Sequence, residues 1–458
     1  MVFSSAIFLW IFLPVVVLGN LLVGKKMSNL FLLLSSLIFY AWGEPVLVVL
    51  MIFSILWNWA AGLMIGKGSR KKLWLVLGVG GDLLLLFTFK YIGFFLSLLR
   101  VIPVLKDIPD PGVRLPIGIS FFTFQAISYI ADVYRERVKP SADPLPVALY
   151  ISFFPQLIAG PIVQYRTVEE QLRTRKPGAA DFADGFRRFL YGLGKKVLIA
   201  NVLAGCADKA FSMEVPGVLP AWIGALAYTL QIYYDFSGYS DMALGLGRMF
   251  GFSFPENFSY PYLSRSISEF WRRWHITLGA WFREYVYIPL GGNRKGKGRT
   301  LINLLIVFFL TGLWHGADLS FVLWGLYHGF FSLLERAGLK KLLDKSRILS
   351  GLGCFVVVLL GWVLFRAENL GAAFAYYRAM FVPAAESASI LRLCDGKTFA
   401  IGAAALIGAG PLQAIVPQKL KEKWKGSAAE ALFVLVVLGY SLAALAAESY
   451  NPFIYFQF

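Results

Sequence analysis

Three histidines make up the whole imidazole complement of this chain of 458 residues: His275, His315 and His328. No pair has the spacing of an HExxH helix, and no cluster of cysteines or carboxylates accompanies them, so a metal site is not expected. Imidazole exchanges protons near neutral pH, and an ionisable side chain is costly in an apolar setting unless it has a role. Each histidine is therefore a candidate acid, base or hydrogen-bonding group. His315 stands in the run Thr311-Gly312-Leu313-Trp314-His315-Gly316, at the end of an apolar stretch that begins just after Arg299. Fifteen helical residues rise about 22 Å, which carries His315 to or beyond the middle of a bilayer. Gly312 and Gly316 flank it at a small-residue spacing that lets a helix or a ligand come close. The structural alternative is a histidine hydrogen-bonded between helices.

His275 lies in Phe270-Trp271-Arg272-Arg273-Trp274-His275, where cations and aromatic rings alternate. By itself this pattern reads as an interfacial anchor of tryptophan and snorkelling arginine. His328 follows His315 by thirteen residues and a turn, so it does not share its face, and it reads as packing. A further polar constellation runs from Gln231 to Asp241 and holds Asp235, Asp241, three tyrosines and two serines beside an apolar span. Such groups are expensive without partners. Either they line an aqueous funnel or they pair with Arg272 and Arg273.

The elements that position these residues are membrane helices. The chain is 58% hydrophobic and 16% charged, with a mean hydropathy of +0.64, so its solvent is largely lipid. Apolar runs of spanning length occupy about 3–23, 28–42, 45–65, 73–98, 115–131, 218–234, 301–316, 319–334, 350–365, 398–416 and 429–447. The expected fold is all-α and polytopic, a single membrane-embedded domain over 1–458 with about eleven transmembrane helices. Lys25 and Lys26 follow the first apolar run instead of preceding it, which reads as a span and not as a cleaved signal. The stretch 144–163 looks apolar enough to cross, yet basic residues flank it on both sides. It carries Pro144, Pro146, Pro155 and Pro161, which oppose a continuous helix and suggest a re-entrant segment buried in protein. The stretch 256–300 is similarly irregular, with helical pieces at about 266–287 and a turn at Gly291 and Gly292.

A net charge of +17 would suit nucleic acid, but lysine and arginine cluster between apolar runs, at 25–26, 67–72, 135–139, 166–196, 265–299, 340–347 and 419–425. That is the positive-inside pattern, which also attracts anionic headgroups of membrane lipid. Facing these clusters to the cytosol places both termini outside. Cys206, Cys354 and Cys394 have no CxxC or metal spacing, and their odd number supplies no disulfide framework; they read as buried small hydrophobes. No internal repeat is visible, so a transporter built from paired halves is not supported.

At these same residues the chain resembles a known family. FWRRWHITLGAWFREYVYIPLGGNR at 270–294 is similar to the signature of the membrane-bound O-acyltransferases, and LWHGADLSFVLWGLYHG at 313–329 to the segment bearing their near-invariant histidine. YYDFSGYSDMA at 233–243, LPIGISFFTFQAISYIADVYR at 115–135 and FFPQLIAGPI at 153–162 resemble further family segments, so that 115–365 carries the likeness. IPLGGNR at 288–294 resembles the bacterial, alginate-type polysaccharide O-acetylation subgroup more than the teichoic acid D-alanyl transfer proteins. The resemblance implies a central through-membrane tunnel, with His315 at the catalytic position and His275 as the second functional histidine. It implies an acyl thioester donor such as acetyl-CoA reached from the cytosol, no permanently bound cofactor, and a bacterial inner-membrane location. It also implies delivery of the acyl group to a polysaccharide outside, often through a separate SGNH-type acetyltransferase.

Moving only a small neutral acyl group avoids carrying a charged thioester through hydrocarbon. In that scheme His315 is the general base, His275 assists from the donor side, and Arg272, Arg273 and Arg294 meet the donor's phosphates, with Trp274, Trp314, Asp235 and Asp241 lining the substrate's path. The last eight residues, Asn451-Pro452-Phe453-Ile454-Tyr455-Phe456-Gln457-Phe458, include four aromatic rings. They form either an interfacial anchor or a tail that folds back into the tunnel and offers the Tyr455 phenol as acyl acceptor. Two other functions share the topology: a transporter or flippase for a lipid-linked glycan, and a direct lipid O-acyltransferase.

Overall fold

The computed structural model describes residues 1–214, 216–383, 393–447 and 453–454. Among these residues every regular element is helical and no strand occurs. Long apolar runs leave this outcome little alternative, because in lipid a helix satisfies its own backbone donors and acceptors. The principal helices are α1 (Phe8–Leu22), α2 (Gly24–Gly43), α3 (Val48–Gly66), α4 (Lys71–Leu99), α5 (Ile119–Tyr134), α6 (Pro144–Ser152), α7 (Ala179–Phe211), α8 (Val218–Met249), α9 (Ile267–Arg273), α10 (Ile276–Phe282), α11 (Gly296–His315), α12 (Leu319–Leu334), α13 (Arg347–Arg366), α14 (Leu370–Phe381), α15 (Gly396–Gly408) and α16 (Ala428–Ala447). Among the described residues α3, α4, α7, α11, α13 and α16 are long and apolar enough to cross a membrane, and α1 and α15 are shorter apolar helices. The chain is thus a polytopic, all-helical membrane protein.

Helix α7 corrects the sequence expectation. It is 33 residues long, yet its first turns fall in the basic stretch 166–196, which the charge pattern assigned to a loop. Lys195 and Lys196 sit within it, and their charges hid an otherwise apolar run. Both lysines are matched by carboxylates on α8, half-buried Lys195 at 2.6 Å to Asp241 and buried Lys196 at 2.5 Å to Asp235, which removes the objection to placing them in this helix. Helix α8 likewise extends well past the apolar run at 218–234, to Met249.

Prolines act as expected in 144–163. Helix α6 ends at Ser152, Phe153 breaks it, and a single turn follows over Phe154–Leu157. The stretch 256–300 is also divided into short pieces, with Gly291 and Gly292 in the left-handed region at φ 105° and 52°. The cysteines depart from expectation. Cys206, near the end of α7, and Cys394, just before α15, are joined by a disulfide, while Cys354 is buried and unoxidised. A separation of 188 residues left the pairing invisible to any spacing rule.

By packing, the chain divides into two units: residues 1–189 with 242–255, and residues 190–241 with 256–458. The core of the first is phenylalanine-rich. Phe8, Phe12, Phe39 and Phe154 lie with ring centroids 5.3–6.3 Å apart, and Phe153 meets Phe252 at 4.9 Å. All three histidines lie in the second unit.

Candidate active site

Local structure around His275 begins with the helix that precedes it. Ser266 caps α9, its hydroxyl accepting the Glu269 amide at 3.0 Å. Glu269 reaches back to the Arg265 amide at 3.0 Å, a variant of the capping box. The Glu335 carboxylate, one residue past α12, receives the amides of Ile267 and Ser268 and, at 2.8 Å, the Ser268 hydroxyl. It thereby ties the hairpin that carries His315 to the start of the helix that leads to His275. Burial works against the charge of Glu269, but the Arg265 amide and Arg273 outweigh it and hold the carboxyl below its ordinary value.

At the end of α9 the backbone turns sharply, and His275 takes a left-handed conformation with φ 45°. A non-glycine residue in this region is uncommon and persists where its surroundings fix it. Asn257 provides much of that fixing. Its carbonyl accepts the Ile276 amide at 2.9 Å, and its Oδ1 accepts from the Thr277 amide and hydroxyl at 3.3 and 2.9 Å. The same Oδ1 lies 3.1 Å from Nδ1 of His275, while Nδ2 donates to the Ser240 hydroxyl at 3.1 Å. Because an amide donor already identifies this Asn257 atom as oxygen, Nδ1 of His275 carries the proton and Nε2 the lone pair. The ring is 1% exposed and stands edge-on to Phe236 at 4.7 Å. His275 lies outside the spanning helices, and burial pushes its imidazole down to about 3. It is a neutral group at physiological pH.

His315 is the last residue of α11 and is buried. Rings wall it: Trp314 at 4.9 Å, Trp324 at 5.1 Å and Phe365 at 5.3 Å, each roughly perpendicular to the imidazole. The hairpin of α11 and α12 is tight because glycines face one another. A Cβ on Gly312 would meet the Phe321 carbonyl oxygen at 2.3 Å, and one on Gly325 would meet that of Phe308 at 2.3 Å. The small-residue reading of Gly312 therefore holds, with α12 as the close neighbour. The Trp314 indole lies between the two histidines, 6.0 Å from the ring of His275. His275 and His315, forty residues apart, thus border one tryptophan.

The remaining candidates fall into different settings. His328 is fully buried among Trp271, Trp324 and Tyr327, and neither ring nitrogen has a hydrogen-bond partner among the described residues. Trp274 is enclosed by Phe270, Phe258 and Trp362. Arg272 is exposed, as is Arg294, which follows the glycine turn. Arg273 is engaged by Glu269 at 2.8 Å and by the Ser259 carbonyl at 3.2 Å. Asp235 and Asp241, read as funnel-lining or as partners of Arg272 and Arg273, pair instead with Lys196 and Lys195. Tyr455 lies outside the described residues. Phe453 and Ile454, just before it, are each 3% exposed. Phe453 stacks on Tyr239 at 4.7 Å, and the Ile454 amide donates to Oδ2 of Asp235 at 2.7 Å.

Sequence reasoning missed Asn257, Lys195, Lys196 and Glu335. Asn257 sits in an aromatic-rich loop, where an amide has no distinguishing spacing, and Lys195 and Lys196 were absorbed into a surface charge cluster. Two adjacent lysines directly ahead of the apolar residues 197–200, with carboxylates at 235 and 241 in another apolar stretch, were the available signal.

The chain is similar to several known proteins. The family model described as MBOAT, membrane-bound O-acyltransferase family, matches residues 122–365, which contain all three histidines. The chain is 42% identical to the probable alginate O-acetylase AlgI of Pseudomonas putida over the whole of both chains. It is 38% identical to the peptidoglycan O-acetyltransferase of Helicobacter pylori over 83% of this chain and 80% of that one. It is 31% identical to the teichoic acid D-alanyltransferase of Bacillus subtilis, over 46% of this chain and 56% of that one.

Proposed function

Because the chain belongs to the membrane-bound O-acyltransferase family, we propose that it takes an acyl group, acetyl in the simplest case, from a cytosolic thioester and delivers it across the membrane for O-acylation of an extracytoplasmic polysaccharide. The observation that carries this reading is His315, buried at the end of an apolar helix and sharing the Trp314 indole with the oriented imidazole of His275. Relatives named for alginate, peptidoglycan and teichoic acid support a cell-envelope polymer as the acceptor.

In this mechanism His315 accepts the proton of the incoming hydroxyl as its oxygen attacks the thioester carbonyl. The carbon–sulfur bond breaks, and the thiolate leaves with a proton returned from the histidine. His275, neutral and with its Nδ1 proton directed to Asn257, presents Nε2 to the donor side. Arg272 and Arg294 are exposed cations that suit the donor's phosphates, whereas Arg273 is already engaged. Tyr455 is the proposed first acceptor, passing the acyl group to an SGNH-type partner or to the polymer. The buried positions of Phe453 and Ile454 support a tail that returns into the protein instead of anchoring at the surface.

The proposed site is the bacterial inner membrane, with the chain working as one membrane-embedded unit around a through-membrane tunnel. Eleven crossings would put the termini on opposite sides. Adding α7 gives an even number and lets both ends lie outside, with every basic loop inside. The ends of α7 and α13 then face outward, so the Cys206–Cys394 disulfide falls in the oxidising compartment.

The test is polymer acetylation in cells that carry His315→Ala at normal membrane level. Loss of acetylation is expected; more than a few per cent remaining would remove His315 from the reaction. Tyr455→Phe keeps the ring and deletes only the hydroxyl, and transfer to polymer is expected to fail. Near-normal acetylation by this variant would make the tail an anchor.

A further inference from the structure

Asp235 is the eighteenth residue of α8, so it stands about 26 Å along the helix axis from Val218. Its side chain is 1% exposed, yet it does not point at solvent, at Arg272 or at Arg273. Oδ1 lies 2.5 Å from the Lys196 ammonium, itself almost fully buried, and Oδ2 receives the Ile454 amide at 2.7 Å. Lys196 reaches it because the helices nearly touch: a Cβ on Gly238 would lie 2.8 Å from the Gly192 carbonyl oxygen and 3.2 Å from the Lys196 amide nitrogen. Beside this pair, Phe453 stacks on Tyr239 and approaches Phe236 at 5.9 Å, and Phe236 in turn bears on His275 at 4.7 Å. The lysine neutralises and orients the carboxylate, which leaves one oxygen for a backbone donor 219 residues away.

We propose that the Asp235–Lys196 pair is the docking site for the chain's own C-terminal tail, holding it by a main-chain amide beside the His275 wall. Both residues are positioning residues. Recognition runs through the backbone, so the tail is held at the same depth whatever side chain occupies position 454. The inference rests on the reading of the tail as part of the transfer route, but its own content, that this pair seats the tail, is separable from that reading.

Ile454→Pro deletes the donating N–H and leaves both partners of the ion pair in place; Ile454→Val keeps the N–H and most of the bulk. Neither lies in a spanning helix, so insertion is retained. The measurement is amide hydrogen exchange of the C-terminal peptide in purified full-length protein, alongside polymer acetylation in cells. Ile454→Pro is expected to raise exchange of the residues around 453 at least tenfold and to cut acetylation at least tenfold, with Ile454→Val close to the unmodified chain in both. The double variant Asp235→Ala with Lys196→Met leaves no lone buried charge, and it is expected to reproduce the exchange change from the other side of the contact. A tail as protected in Ile454→Pro and in the double variant as in the unmodified chain overturns the proposal. Faster exchange with acetylation intact upholds the docking site and removes the tail from the reaction.

Discussion

Asn257 orients the ring of His275 through Nδ1, and three aromatic rings stand edge-on to that of His315. Around His275, Asn257 binds the ring, the following turn and the Ser240 hydroxyl of α8, and so fixes which nitrogen carries the proton. Around His315, Trp314, Trp324 and Phe365 fix the plane of the imidazole by shape. A group that must exchange a proton with a passing hydroxyl benefits from a firm plane. A group that must offer one particular nitrogen to a donor benefits from an assigned tautomer. The two histidines border the same indole, and the roles proposed for them follow from this difference.

That contrast can be broken at several points. The largest effect is expected at His315, where glutamine as well as alanine abolishes acetylation, a loss of at least ~100-fold from the removal of a general base. A transporter would tolerate glutamine there, so retained export of acetylated polymer would end the enzymatic reading of this residue. His275→Ala comes next: most activity is lost, and purified protein shows weakened use of the acyl-CoA donor. Unchanged donor kinetics would dissolve the division of labour between the two rings. Asn257→Ala removes one neutral hydrogen bond from the imidazole and the anchor of its turn. A fall of about fivefold is expected, in line with about 1 kcal/mol for such a bond, and Asn257→Asp should recover part of it. The smallest effect belongs to His328→Phe, which exchanges a buried ring without hydrogen-bond partners among the described residues for an apolar ring of similar size. Activity within about twofold is expected, with thermal stability equal or higher. A loss as large as that of His275→Ala would bring His328 into the site.

The same contrast explains what could be read in advance. The His315 segment is local: an apolar helix, a terminal histidine and glycines spaced for a close neighbour are all visible within twenty residues. The irregular stretches at 144–163 and 256–300 were legible because proline and glycine act on their own backbone. The environment of His275 was not legible, since its orienting amide arrives from a loop eighteen residues earlier with no pattern to mark it. Helix α7 was misread for a related reason. Charge taken residue by residue signals solvent, and only the carboxylates of α8 make Lys195 and Lys196 acceptable inside a bundle.

By itself the sequence determined the solvent, the class of elements and the approximate places where the chain leaves the helix, because hydropathy and backbone preference are properties of short segments. It also marked His315, since an imidazole in an apolar run is conspicuous wherever it packs. Tertiary structure alone decided the partners. The disulfide joins residues 188 apart, the Asp235 carboxylate accepts from an amide 219 residues away, and Glu335 receives amides 67 and 68 residues before it. Such pairings depend on which helix ends and buried faces meet when apolar surfaces pack, and no local periodicity encodes that meeting.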